Sequence, residues 1–242
     1  DFQMCVQSMR DRLGTNPVPV QLPIGEEDKH RGVIDLVRMQ AIVFDEASKG
    51  QRYDVSEIPA DLKDAADAAR AQLIEAAAEV DDVVGEKFLS DDVASITEED
   101  LVRALRHGTI NFLLVPVLCG SAFKNKGVQQ LLDAVVAYLP SPVDIPVKKG
   151  KHPEKQDLEV ERPASDTAPF SALAFKMMND KFVGNLTFIR VYSGALQSGD
   201  SVFNSTRGKH ERIGRLLLMH ANEREDIKDV FAGYELTNGQ EL

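Results

Sequence analysis

Phe2, Val6, Met9 and Leu13 recur at spacings of three and four and stop at Gly14, a pattern that predicts a helix closed by a glycine cap. Val18, Val20, Leu22 and Ile24 then alternate up to Gly25. That is a strand by period, and Pro17, Pro19 and Pro23 confine it to a sheet edge or a strand start. The run from Gly32 to Phe44 reads as two strands or one long bent one. From Asp61 to Val80 the period changes. Leu62, Ala66, Ala69, Leu73, Ala76 and Val80 share one face of an alanine-rich helix whose other face is acidic. Phe88 and Leu89 lie in a second short helical stretch, and Thr97-Glu98-Glu99-Asp100 has the form of a capping box opening a third helix with Leu101, Val102 and Leu105.

A continuous apolar run, Leu113 to Cys119, predicts a buried strand. Gly120-Ser121-Ala122 follows as a small-residue loop, and Val128, Leu131, Leu132, Val135, Val136 and Leu139 form a helix stripe. Together these make a βα unit of a parallel sheet. Pro140, Pro142 and Pro146 punctuate the exit, and the polar stretch to Pro169 reads as a linker between domains. Beyond it the period becomes two. Residues 170–178, 186–192, 201–203 and 210–219 are strand candidates separated by glycine turns, which predicts a small β-barrel. The expected organisation is an α/β part over residues 1–146, a linker over 147–169 and an all-β part over 170–242.

Composition sharpens this in three ways. With 43% apolar residues in 242, the chain can bury a core. No apolar run reaches the roughly 18–20 residues of a membrane span, so no membrane role is expected. Two cysteines, Cys5 and Cys119, give no disulfide framework and fit a cytoplasmic location. The chain opens on Asp1 with no signal-peptide pattern, so we expect an internal part of a longer protein.

The net charge of −11 argues against nucleic-acid binding until it is divided. Residues 54–100 carry 15 acids against three bases, a balance of −12, whereas residues 170–220 are +4. The acidic helices are either a solubilising surface or a docking face for a basic or amphipathic partner.

Candidate chemistry is sparse. Gly120, Ser121 and Ala122 fit either a tight βα turn or a loop whose backbone approaches a base or anion. Asp82-Val83-Val84-Gly85 has the DxxG form but reads as a solvated turn with a glycine stop. No GxxxxGK[ST] phosphate loop and no Asn-Lys-x-Asp occur; Asn125-Lys126-Gly127 is not one. The five histidines and two cysteines show no metal-ligand spacing and no catalytic signature. On a single strand Arg207, Lys209 and Arg215 would project to one face, with Arg212 on the other. That basic stripe is either a phosphate contact or a solvated outer face.

These pieces, in this order, resemble translation elongation factor G, the bacterial-type ribosomal translocase. The carrying residues are 16–25 with Gly32-Val33-Ile34-Asp35-Leu36, then 116–129 (Pro-Val-Leu-Cys-Gly-Ser-Ala-Phe-Lys-Asn-Lys-Gly-Val-Gln) and Leu139-Pro140-Ser141-Pro142. In the second half they are Phe170–Lys176, Arg190–Gly194 and Arg215–Asn222. The resemblance implies a partial P-loop-type GTPase domain with an α+β insertion subdomain at about residues 16–112, followed by a small translation-factor β-barrel. It implies GTP or GDP with magnesium as the intact protein's ligand, with Gly120, Ser121 and Ala122 packing on the guanine. It implies the ribosome as partner of a monomer. Small-subunit rRNA would meet the barrel at Arg207, Lys209, Arg212 and Arg215, and the ribosomal stalk protein would meet the acidic insertion. The intact relative hydrolyses GTP to drive tRNA–mRNA translocation. This chain, lacking the phosphate loop, both switches and the base-specificity motif, is expected neither to hydrolyse GTP nor to bind it tightly, and no catalytic residue is assigned. Residues 234–242 look too short for the family's closing barrel strand. The alternatives are another translational GTPase, of the ribosomal-protection or release type, or a non-catalytic ribosome-binding module. An unrelated α/β enzyme using Gly120 as an anion loop is disfavoured because no acid–base or nucleophile constellation accompanies it.

Overall fold

The Asp1 side chain accepts a hydrogen bond from the Met4 N–H and Gly14 closes the other end in the left-handed conformation, so helix α1 spans Phe2–Leu13 as the spacing predicts. The computed structural model describes residues 1–152, 155, 157–180, 184–220, 223–233 and 235–240. They fall into two units, 1–140 and 141–242.

In the first unit the predicted strand over 18–24 is two strands, β1 (Pro17–Pro19) and β2 (Gln21–Ile24). Val20 lies between them, donating its N–H to the Val117 carbonyl and accepting from the Leu36 N–H. These bonds belong to different sheets, which is why the chain bends there. β2 begins a four-stranded antiparallel sheet with β3 (Gly32–Asp35), β4 (Gln40–Phe44) and β5 (Tyr53–Ser56), in that order. As an edge strand it tolerates Pro23. Gly25, at φ 81°, ends β2 where a Cβ would stand 2.1 Å from the Lys29 carbonyl oxygen, so no side chain fits.

Helices α2 (Lys63–Ala78), α3 (Asp82–Leu89) and α4 (Glu98–Ile110) cover this sheet. Their core contains Ala66, Leu73, Ala77, Leu101 and Leu105, packed with Ile34 and Leu36. The predicted face of α2 is the buried one, although Ile74 and Ala77 also contribute. Arg70 fastens α2 to the sheet by donating to the Leu36 and Val37 carbonyls. The DxxG segment is not a glycine-stopped turn. It is the first turn of α3, because the Asp81 side chain caps the Val84 N–H at 3.0 Å and offsets the helix penalty of Gly85. Thr97 and Asp100 form the predicted capping box at the start of α4. Thr97→Ala is expected to cost about 1 kcal/mol, read as a lower urea midpoint at unchanged slope.

The run from 113 to 119 is a strand only over β6 (Val115–Val117), parallel to β1, and it is only partly buried: Leu114 enters the core and Leu118 packs against it, while Leu113 and Val115 are exposed. Among the described residues β6 pairs with β1 alone, so it lacks the neighbours that bury a central parallel strand. Helix α5 (Val128–Tyr138) is turned against expectation. Leu131, Leu132, Val135 and Val136 face solvent, while Gln130 and Tyr138 are buried, with Ala134 and Ala137 against the core.

The second unit is built from strands, and the sequence expectation needs three corrections here. The expected linker holds a hairpin, β7 (Lys148–Lys151) with β8 (Glu159–Arg162). After it come β9 (Ser171–Asp180), β10 (Gly184–Ser193), β11 (Leu196–Gln197) and β12 (Ser201–Asn204). The single strand expected over 210–219 is β13 (Lys209–Arg212) and β14 (Arg215–His220), broken where Ile213 turns into the core and bonds Asp200 and Gly199. β15 (Glu223–Ile227), β16 (Asp229–Val230) and β17 (Glu235–Gln240) complete the unit. The tail is long enough after all: β17 lies between β10 and β14 in a five-stranded sheet ordered β15-β14-β17-β10-β9. Tyr234, Glu241 and Leu242 lie outside the described residues. β11 pairs with β16, and β12 with β13. The core is Ile189, Val191, Leu196, Ile213, Leu216 and Val230, where alternation along β10 sends Ile189 and Val191 to the same face.

Candidate functional site

Gly120, Ser121 and Ala122 leave β6 in a loop closed by Lys126. Ser121 donates its N–H to the Lys126 carbonyl at 2.9 Å and accepts from the Lys126 N–H at 3.0 Å. A Cβ on Gly120 would stand 2.6 Å from that carbonyl oxygen, so the close approach requires glycine. Gly120 and Ala122 are exposed and Phe123 fully so. The loop therefore presents backbone with little side-chain obstruction, a surface on which a planar base can lie or an anion can approach.

Lys126 holds this loop in place. Its side chain is 4% exposed, and its Nζ donates to the His30 carbonyl at 2.8 Å and to Glu46 Oε1 at 3.0 Å. Burial holds the pKa of His30 below its ordinary value, and the charges of Lys126 and Lys124 push the same way against a hydrogen bond that the imidazole gives the Gly25 backbone. A neutral imidazole beside the buried ammonium follows. Sequence reasoning missed Lys126 as an anchor because its partners lie 96 and 80 residues away. Cys119, whose N–H donates to Gln21 Oε1, has its thiol pushed up to about 12 by burial and is a poor nucleophile.

The expected stripe of Arg207, Lys209 and Arg215 is not one face, and Arg212 does not simply oppose it. Arg207 and Lys209 lie at the β12–β13 turn, Arg212 at the far end of β13, and Arg215 on β14 in another sheet. Arg207 pairs with Glu211 at 3.1 Å, and Glu211 is held below the usual carboxylate range first by Asn204 and then by Arg207. Arg215 makes a two-pronged pair with Asp226, both contacts 3.0 Å. Arg212 donates to the Gly199 carbonyl. Lys209 is exposed beside Arg207. A second basic group was hidden by the linker reading: Lys148 and Arg190 each stand 5.6 Å from the centre of the Tyr192 ring, and Arg162 lines the same recess.

No group of His, Cys, Asp and Glu suited to a metal occurs among the described residues. No helix among them is long and apolar enough to cross a membrane.

Residues 169–235 match the family described as elongation factor G domain 2. A solved protein from Thermus thermophilus shares the fold, with a TM-score of 0.73 at 24% sequence identity. The match covers 98% of this chain and 32% of that one, so this chain spans about a third of the solved protein's length.

Proposed function

We propose that the chain is a segment of an elongation factor G-type translational GTPase that works on the ribosome in the cytoplasm. The match of residues 169–235 to elongation factor G domain 2 carries this reading. In the intact protein, GTP binding and hydrolysis supply the free energy for tRNA–mRNA translocation. Within this chain Gly120, Ser121 and Ala122 form one wall against the guanine, and their exposed, unobstructed backbone fits that part. Lys126 sets the shape of the wall. The phosphates and magnesium fall to residues this chain does not contain, so the chain alone does not turn over GTP.

The acidic α2–α4 face takes the ribosomal stalk protein, supported by its balance of −12 over residues 54–100. The β12–β13 turn takes small-subunit rRNA, with Lys209 and Arg207 as the phosphate contacts. Arg215 and Arg212, engaged with Asp226 and Gly199, contribute less. The test is binding of the purified monomeric chain to small ribosomal subunits across a salt series. Binding is expected to weaken with salt, and Lys209→Glu is expected to lower both the affinity and the salt slope, by about one unit per lost phosphate contact. Binding that ignores salt, or that Lys209→Glu leaves unchanged, refutes the RNA contact, and GTP turnover above background refutes the assignment of a passive wall.

A further inference from the structure

The antiparallel sheet of the first unit holds the 120–126 loop at two places, and one of them carries a titratable ring that the proposed function does not use. The first is the segment between β4 and β5. There a Cβ on Gly50 would stand 2.6 Å from the Lys124 carbonyl oxygen, and Gln129 donates to the Gly50 and Gln51 carbonyls at 3.3 and 3.1 Å. The second is the β2–β3 turn, where the His30 carbonyl accepts from the buried Lys126 Nζ at 2.8 Å. One residue thus supplies both the carbonyl that anchors the loop and an imidazole beside it.

The imidazole gives its hydrogen bond to the Gly25 backbone, and its Nε2 is shut off from solvent with no hydrogen-bond partner among the described residues. In the neutral ring Nε2 is therefore the nitrogen without a proton. The ring lies 6.1 Å from that of Phe44, centre to centre, which offers no acceptor. A proton on Nε2 would create a buried N–H with nothing to receive it and a second positive charge beside Lys126, with Lys124 adding to the repulsion. Two acids stand in the neighbourhood, Glu46 and Asp28. They pair with Lys126 at 3.0 Å and Lys124 at 3.8 Å, and neither reaches Nε2.

We propose that His30 is a positioning residue for the 120–126 loop and makes its shape proton-dependent: the neutral ring lets the turn hold Lys126, and the protonated ring drives turn and loop apart. Opening takes up one proton at Nε2 from solvent. A ring freed from the turn titrates near its ordinary value of about 6.5, above that of the closed form. The anchor is therefore fully held above that pH and is lost as the pH falls below it, the opening equilibrium rising by up to about tenfold per pH unit. This concerns the loop itself and holds whether or not it faces a base.

The test is amide hydrogen exchange of the whole chain from about pH 7.5 to about pH 5.5, corrected for the intrinsic rate, at the Ser121 and Lys126 N–H groups that close the loop. Protection there is expected to fall by up to about tenfold per unit below about pH 6.5, while the core of α4 stays protected. The His30 ring, followed by NMR in the unaltered chain, is expected to titrate below about 6.5 over the same range. His30→Gln and His30→Phe, which remove the proton site and keep a side chain in the turn, are each expected to abolish the fall. Protection that ignores pH, an equal fall in either variant, or a ring that titrates above about 6.5 overturns the proposal.

Discussion

Replacing Asp100 by Ala is expected to remove about 2 kcal/mol of stability, less than breaking a fully buried ion pair because Lys87 and Arg103 stay partly exposed. Asp100 is 7% exposed. Its Oδ2 accepts from Lys87 Nζ at 2.6 Å and from the Thr97 N–H at 3.1 Å, and its Oδ1 from Arg103 at 2.9 Å. Arg103 also grips Asp81, the cap of α3, at 2.9 and 3.0 Å, so one guanidinium ties two helix starts together. The cost is limited further because Lys87 keeps the Ser95 carbonyl and Arg103 keeps Asp81. The same residue sets the acid limb of stability. The Lys87 hydrogen bond first, then the Thr97 N–H, holds the Asp100 carboxyl well below the usual range. Asp81 is lowered too, chiefly by Arg103. A depressed folded-state pKa contributes stability that is fully present above the unfolded value of about 4 and is lost as the pH falls below it. Urea denaturation near neutrality and again in acid is therefore expected to show a smaller gap between Asp100→Ala and wild type in acid. A constant gap, or a neutral-pH loss under about 1 kcal/mol, would contradict the network.

Two leucines test which way the helices face. Leu105 on α4 is 0% exposed among Leu73, Leu101 and Leu114, and Leu105→Ala is expected to cost about 3–4 kcal/mol through lost burial and the cavity left behind. Leu132 on α5 is 59% exposed, and Leu132→Ala is expected to change stability by less than about 0.5 kcal/mol. In sequence the two residues have the same claim to a core. Comparable losses from both in a denaturant series would show that α5 is turned the other way.

That pair also marks how far the sequence could be read. Local signals were sufficient where a local partner does the work. Gly14 caps α1, and Thr97 boxes with Asp100 three residues on. The alanine face of α2 was legible because a helix repeats its buried side every three or four residues. Periodicity identifies an apolar side but not what it meets, so the α5 stripe was assigned to a core from which Leu131, Leu132, Val135 and Val136 stay out, and of the run at β6 only Leu114 is fully buried. The break at Ile213 was invisible because its cause is a pair of bonds to Asp200 and Gly199 on another turn. Of the candidate site, the small-residue loop was legible as three residues, and the shape that Lys126 imposes on it was not. The basic stripe failed for the converse reason: period two held only for as long as one strand continued.

The anchoring of Lys126 also bears on the order in which the chain folds. The side-chain contacts that anchor the 120–126 loop span 96 and 80 residues, so they cannot form until the β2–β3 turn and the end of β4 are in place. Closing spans of that length carries an entropy cost that only later contacts offset. The anchoring by Lys126 is thus expected to form late, after the folding transition state. Substitutions at Gly120 or Lys126 would then act on the rate of unfolding and leave the rate of folding nearly untouched.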